Sequence, residues 1–296
     1  MTISPFIVRE PIRLDQFLVG NLDLSRQKVQ HLIRNEMIHV NGKECAKPGR
    51  VLSVQDQVVL TTRGHEYLDK QARTGAMPIR SAPTLNILYE DSTLMAIFKP
   101  AGEVVHHGVK CDSGTTADAL IQYDPALQYV GGDHKAGLVH RLDKNTAGIM
   151  VIAKTTDSHA NLSEQFKTHQ VTKRYYAMVS GNMQTDYYDL QYPIGKHPKF
   201  GHLKWVVDGG RTSQTYVHVI KRYNTKTWVK LIPVTGRTHQ LRVHLAYLGH
   251  PIIGDPEYGT NRNATGQQLV AYYLRITHPR TGRKFGFKYS GGEMWS

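Results

Sequence analysis

Residues 137–148, GLVHRLDKNTAG, crowd His140, Arg141, Asp143, Lys144 and Thr146 into one short segment that runs straight into the apolar IMVIA at 149–153. A strand fixes the backbone there while the loop at its end presents side chains to a ligand, an arrangement suited to catalysis. A carboxylate so placed can attack an electrophilic carbon or take a proton, and a nearby guanidinium favours its charged form. Asp143 by itself reads first as a structural carboxylate capping the turn at Thr146; only a wider pattern gives it a chemical role. His140 with Asp143, or His106 with His107, supplies metal-type donors. No third ligand follows at a standard spacing, so no metal is expected.

The chain around this segment is strongly basic. Its 296 residues hold 37 Lys and Arg against 24 Asp and Glu, a formal net charge of +13 with histidine neutral. Lys and Arg that neutralise phosphates release counterions, so the expected partner is nucleic acid. Hydrophobic residues make up 40% of the chain and charged residues 21%, which excludes wholesale disorder. Cys45 and Cys111 lie far apart and outside any Cys-x-x-Cys pattern, excluding a disulfide framework and a cysteine zinc knuckle. The N-terminal MTISPFIVREPIRLD has no apolar signal core, and no stretch approaches the ~18 apolar residues a membrane span needs. A cytoplasmic protein without membrane attachment is expected.

The elements that position the segment follow from periodicity. Leu14, Phe17 and Leu18 form one helical stripe, and Val29, Leu32 and Ile33 form another behind Ser25 as N-cap. Residues 37–40 lead into the turn dipeptide Asn41-Gly42, and 51–60 read as strands. Residues 11–62 therefore form a small first domain, with Arg26 and Lys28 in the first turn of its second helix facing RNA phosphates. Residues 63–83, with Gly64, Gly75, Pro78 and Pro83, lack a sustained period and read as a linker. From 84 to 290 strands dominate: 85–89, 94–98, 149–153, 176–179, and a hairpin of 216–223 with 227–232. Helices are fewer, the clearest being 158–167 and 239–248. Strands with occasional helices imply α+β without strand–helix alternation.

The segment HRLDKNTAGIMVIAK resembles the HRLDxxTSG segment of the RluA-type pseudouridine synthases. Four further blocks match in family order: FKPAG at 98–102, KxYxA at Lys173, Tyr175 and Ala177, GRTHQLRVH at 236–244, and GHPIIGDPEYG at 249–259. The first domain, helix, SRxxVxxLI helix and IHVNGK, resembles the alpha-L RNA-binding module of S-four type. It departs at Asn35-Glu36, where that family often has glycine before the strand, and at Gln55-Asp56, where it often has Gly-Asp. The fold so implied is a mixed, largely antiparallel sheet of pseudouridine synthase type preceded by an alpha-L domain.

The resemblance implies isomerisation of uridine to pseudouridine without a cofactor, which agrees with the lack of a Rossmann fingerprint, P-loop or zinc ligand set. Asp143 matches the family's catalytic aspartate, acting by covalent attack or by proton abstraction; both remain open. Arg242 matches the position that pairs with it. Tyr175 offers a flat surface for an everted base and an acid or base near its ring. Arg141 enters the space left by the flipped nucleotide or holds the backbone, and His140 orients the loop. Leu269 and Leu274 wall the pocket, while Lys173 and Arg237 bind RNA. Ala147 replaces the usual serine, altering a hydrogen bond worth about 0.5–1.5 kcal/mol net.

The implied partner is structured RNA, foremost the large-subunit ribosomal RNA, acted on by a monomer. Alternatives are a transfer RNA synthase, a noncatalytic ribosome-assembly factor, and a metal-dependent nuclease using His140 and Asp143.

Overall fold

Among the described residues, apolar side chains at helical and alternating spacing bury one core cluster in the first of two compact units, Met1–Ile79, and two in the second, Arg80–Ser296. The structure, a computed structural model, describes residues 5–22, 24, 26–74, 82–107, 113–132, 135–259 and 266–290. Ser25 and Cys111 lie outside them.

In the first unit, helices Leu14–Leu22 and Arg26–Arg34 bury Leu14, Leu18, Val29, Leu32 and Ile33 completely. They accompany a small sheet ordered Phe6–Ile7, Gln57–Leu60, Ile38–Val40, Lys43–Glu44. Asn41 and Gly42 turn its hairpin with φ of 54° and 74°, the left-handed values a tight two-residue turn requires. Two boundaries differ from expectation. The unit begins before residue 11, because Phe6 pairs with Val58 and Val8 is 1% exposed. Part of the expected linker is the helix Thr62–Thr74, whose Tyr67 and Leu68 pack on the core. Thr61 Oγ1 caps it by accepting the Gly64 N–H at 3.1 Å. Gly64 does not break this helix; its missing Cβ, which would lie 2.8 Å from the Met37 carbonyl, lets the first turn pass close by.

In the second unit one large sheet runs in the order Tyr187–Leu190, Thr215–Arg222, Lys226–Pro233, Thr172–Ser180, Leu269–Thr277, Ala147–Ala153, Leu94–Lys99, Asn86–Glu90. Lys284–Lys288 pairs with the far half of Leu269–Thr277. Pairing is antiparallel except where Val270 and Ala271 lie parallel to Ala147 and Gly148. Gly148 is required at that crossing: at φ 142° a Cβ would stand 2.6 Å from the Ala271 nitrogen. Helix Thr156–Lys167, capped by Thr155, packs on Ala147–Ala153, whose residues from Gly148 to Ala153 are buried. Helix Gln240–Tyr247 lays Leu241 and Leu245 over Ala177, Val217, Val229 and Leu231. The class is α+β with a mixed, largely antiparallel sheet. Among the described residues no helix is long and apolar enough to cross a membrane.

Candidate active site

The loop after Leu138 and the helix Gln240–Tyr247 meet above the strand Thr172–Ser180, enclosing a cleft of about 580 Å³. His140, Arg141, Asp143, Lys173, Tyr175 and Arg242 all line it. The Asp143 side chain, 21% exposed, opens into this cleft, and Arg242 Nη1 donates to its Oδ2 at 3.3 Å. Arg242 stands in the first helical turn, behind His239, which takes the left-handed φ of 57° as N-cap.

Asp143 is the weakest-held of three carboxylates around that guanidinium. Arg242 Nε and Nη2 donate to the two oxygens of Asp255 at 2.6 and 2.8 Å, and Nη2 also reaches Glu257 at 2.7 Å. Its carbon lies 4.9 Å from the Tyr258 ring centroid. Burial opposes the Arg242 charge, but the Asp255 hydrogen bond and the surrounding carboxylates hold its proton more tightly than usual. Asp255 is fully buried and would be raised by burial; Arg242 and the N–H groups of Glu257 and Tyr258 bring it below the ordinary value. His239 Nδ1 hydrogen-bonds the Tyr258 hydroxyl at 2.9 Å and its Nε2 lies 3.9 Å from Asp143. Burial lowers its proton affinity.

Burial, and then the charge of Asp143, push the Tyr175 phenol well above the usual tyrosine value. Tyr175 therefore keeps its proton at neutral pH: it presents a face for stacking and a hydroxyl donor rather than a ready base. Burial, then Lys173, drops His140 to about 3. It is neutral, accepts the Val151 N–H at its Nε2 at 3.0 Å and stacks on Phe166 at 4.4 Å, so it ties the loop to its strand. Lys99, 1% exposed, donates to the carbonyls of Pro100, Glu103 and Lys144 at 2.8, 3.0 and 3.1 Å. Its burial lowers it to about 8. The Asp143 loop is thus fastened on one side by Lys99 and on the other by the Thr146 hydroxyl, which accepts from Gln267 at 2.9 Å.

Arg141, Arg211 and Arg237 join Lys173 as cations lining the cleft, and Arg237 Nε donates to the Thr212 carbonyl at 3.0 Å. Leu269 lines the cleft; Leu274 does not. It lies beyond the bulge opposite Arg174/Tyr175, pairs with Lys173 and is buried in the other core cluster. Arg26 and Lys28 belong to helix Arg26–Arg34 of the first unit, and their side chains lie outside the described residues. The spacing arguments pass over Lys99, His239, Asp255, Glu257 and Tyr258, although all five sit inside the matched blocks FKPAG, GRTHQLRVH and GDPEYG.

Comparison with known proteins places the chemistry. The family model described as RNA pseudouridylate synthase matches residues 93–247. An uncharacterized RNA pseudouridine synthase of Aquifex aeolicus is 38% identical, covering 94% of this chain and 90% of its own length. Ribosomal large subunit pseudouridine synthase D of Escherichia coli is 35% identical over 91% of this chain and 84% of its own. Among solved structures, human RNA Pseudouridylate Synthase Domain Containing 1 is 25% identical with a TM-score of 0.59, over 70% of this chain and 83% of that one. With its matched segment, its long alignments and the cleft built around Asp143, the chain belongs to the RNA pseudouridylate synthase family.

Proposed function

We propose that this enzyme isomerises specific uridines of the large-subunit ribosomal RNA, with Asp143 as the reacting carboxylate. The carrying observation is the Asp143 side chain opening into the cleft 3.3 Å from a buried Arg242, with Tyr175 lining the same space. A uridine everted into the cleft stacks on Tyr175, and Asp143 either attacks the nucleoside or takes a proton from its sugar. Arg242 stays fixed by Asp255 and Glu257 while Asp143 moves onto the substrate, so no guanidinium rearrangement accompanies the chemistry. Arg141, Lys173 and Arg237 hold the surrounding phosphates at the cleft, and the first unit, with Arg26 and Lys28, docks RNA as an alpha-L module. The 35% identity to a ribosomal large subunit synthase supports ribosomal over transfer RNA.

Carbodiimide mapping of pseudouridine across total RNA, in cells carrying the native gene, its deletion or the Asp143→Asn allele, tests this reading. Sites in large-subunit RNA that vanish in both altered strains are expected. Loss confined to transfer RNA overturns the substrate, and sites retained with Asp143→Asn overturn the catalytic assignment.

A further inference from the structure

Strands Tyr187–Leu190, Thr215–Arg222, Lys226–Pro233 and Thr172–Ser180 lie side by side at one end of the large sheet. Successive side chains point to opposite faces. One face carries Ala177, Val217, Val229 and Leu231, each fully buried beneath Leu241 and Leu245. The other face is open to water towards the sheet edge, where Tyr187 is 49% exposed; Tyr176, His218, Trp228 and Lys230 are half-buried, and Met178, opposite Trp228, is covered.

This open face is aromatic and cationic. Tyr187, His218, Lys230 and Tyr176 stand in direct register across the four strands. Three strand spacings of ~4.8 Å separate the first from the last, about 14 Å in all. In the next row, past a bulge after Val219, Lys221 faces Trp228. Along the Lys226–Pro233 strand the face reads Lys226, Trp228, Lys230, a cation on either side of an indole. Tyr176 meets Trp228 edge-on at 5.4 Å, and Tyr187 meets His218 at 5.1 Å. A wet sheet face ordinarily mixes both signs and sets opposite charges across from one another. Here Lys221 faces Trp228, Lys226 faces Ser180, and Lys230 stands between His218 and Tyr176. The carboxylate on this face, Asp189, is already bonded by the amides of Gln191 and Gln214 at 2.8 and 2.9 Å.

Rings spaced along a sheet and flanked by lysines match the chemistry of single-stranded nucleic acid, whose bases stack while its phosphates are neutralised. We propose that this face is a second RNA-binding surface, on which a single-stranded segment of the substrate RNA stacks on Tyr187 and Trp228 while Lys221, Lys226 and Lys230 hold its phosphates; Tyr176, already stacked on Tyr272 at 3.8 Å, backs Trp228 rather than taking a base. It rests on the substrate being RNA. Tyr176 and Tyr175 are neighbours on opposite faces, so this surface docks RNA on the far side of the sheet from the reacting base.

The test uses the full-length protein, a short single-stranded oligoribonucleotide and the structured substrate RNA, with the variants Tyr187→Ala and Lys221→Gln/Lys230→Gln. Oligoribonucleotide affinity is expected to fall about tenfold in either variant. The slope of log affinity against log salt should shrink by about 0.7 for each lysine removed. The single-turnover rate at saturating RNA should stay native. Unchanged affinity and slope overturn the proposal, as does a rate loss at saturating RNA with native affinity. Self-association in sedimentation that disappears in the variants while RNA affinity holds would assign the face to a second copy, and also overturns it. The oligoribonucleotide measurement needs no turnover, so it stands even if ribosomal RNA proves not to be the substrate.

Discussion

Asp143 and Asp255 share one guanidinium but bear opposite duties. Asp255 has no exposure and holds Arg242 bidentately, whereas the Asp143 side chain is 21% exposed and contacts Arg242 at 3.3 Å. Removing one partner of a buried pair costs about 3–5 kcal/mol, because the other charge stays behind in a dry site. Asp255→Ala is therefore expected to lose about that much stability in urea unfolding. Asp143→Asn should cost less stability than Asp255→Ala, since Asp143 is partly open to water, makes one longer contact and leaves Arg242 paired with Asp255 and Glu257, while single-turnover isomerisation is abolished. The reverse ranking would exchange the two roles. His140 supplies a pH signature. Its proton affinity in the native fold lies at about 3, against an ordinary value of 6.5. As pH falls through that window the unfolded chain takes up the proton first, so this site withdraws stability from pH 6.5 downward. Urea midpoints at about pH 7 and about pH 5 should fall further in the native protein than in His140→Phe, which keeps an aromatic ring beside Phe166. Equal losses would show that His140 is protonated in the fold.

At the scale of elements, the helix Gln240–Tyr247 carries Arg242, and its placement is fixed by buried polar contacts. Gln240 accepts from the Thr235 hydroxyl and the Arg237 N–H at 2.8 and 2.9 Å, and donates to the Gln214 carbonyl and Thr215 hydroxyl at 2.9 and 3.0 Å. His244 hydrogen-bonds Ser213 and Thr215 at 3.0 and 3.1 Å, so both turns of the helix are anchored to the same strand end. The first unit holds backbone strain at exposed positions. Glu36 and Gln55 take φ of 57° and 73°, and both side chains are exposed. Both stand in the dipeptides where the alpha-L pattern often has glycine, which meets no Cβ penalty in that region. Glu36→Gly and Gln55→Gly are each expected to stabilise the protein by about 0.5–1 kcal/mol in denaturant unfolding, in contrast to glycine placed in an ordinary helix. A loss of stability would mean that these side chains make contacts outweighing the backbone strain.

At the scale of the whole molecule, the proposed chemistry falls within one of the two compact units. The cleft belongs entirely to the unit Arg80–Ser296, whose core closes without residues of the first unit. Deleting residues 1–79 removes a basic module but no lining residue of the cleft. RNA affinity is expected to fall and its salt dependence to flatten, with the single-turnover rate retained at saturating RNA. A folded but inactive deletion protein would place a catalytic or cleft-shaping duty in the first unit.

The amino-acid sequence by itself determined the class of the sheet and, through its ordered blocks, nominated Asp143, Tyr175 and Arg242 for the proposed chemistry, because residue type and order along the chain are what such blocks consist of. Tertiary structure alone decided what those residues face. Arg242 and Asp143 are 99 positions apart, and the stronger grip of Asp255 follows from which carboxylate packing removes from water. Periodicity over 63–83 misses the helix Thr62–Thr74, since its formation depends on Tyr67 and Leu68 meeting a core assembled from distant residues. The resemblance to the family's closing strand also assigns Leu274 to the cleft, whereas packing buries it in a different core cluster from that of Leu269, among residues that local sequence does not bring together. Local sequence carries propensity and spacing; the partner of a charge, the solvation of a phenol and the face a strand turns outward arise only when remote segments exclude water together.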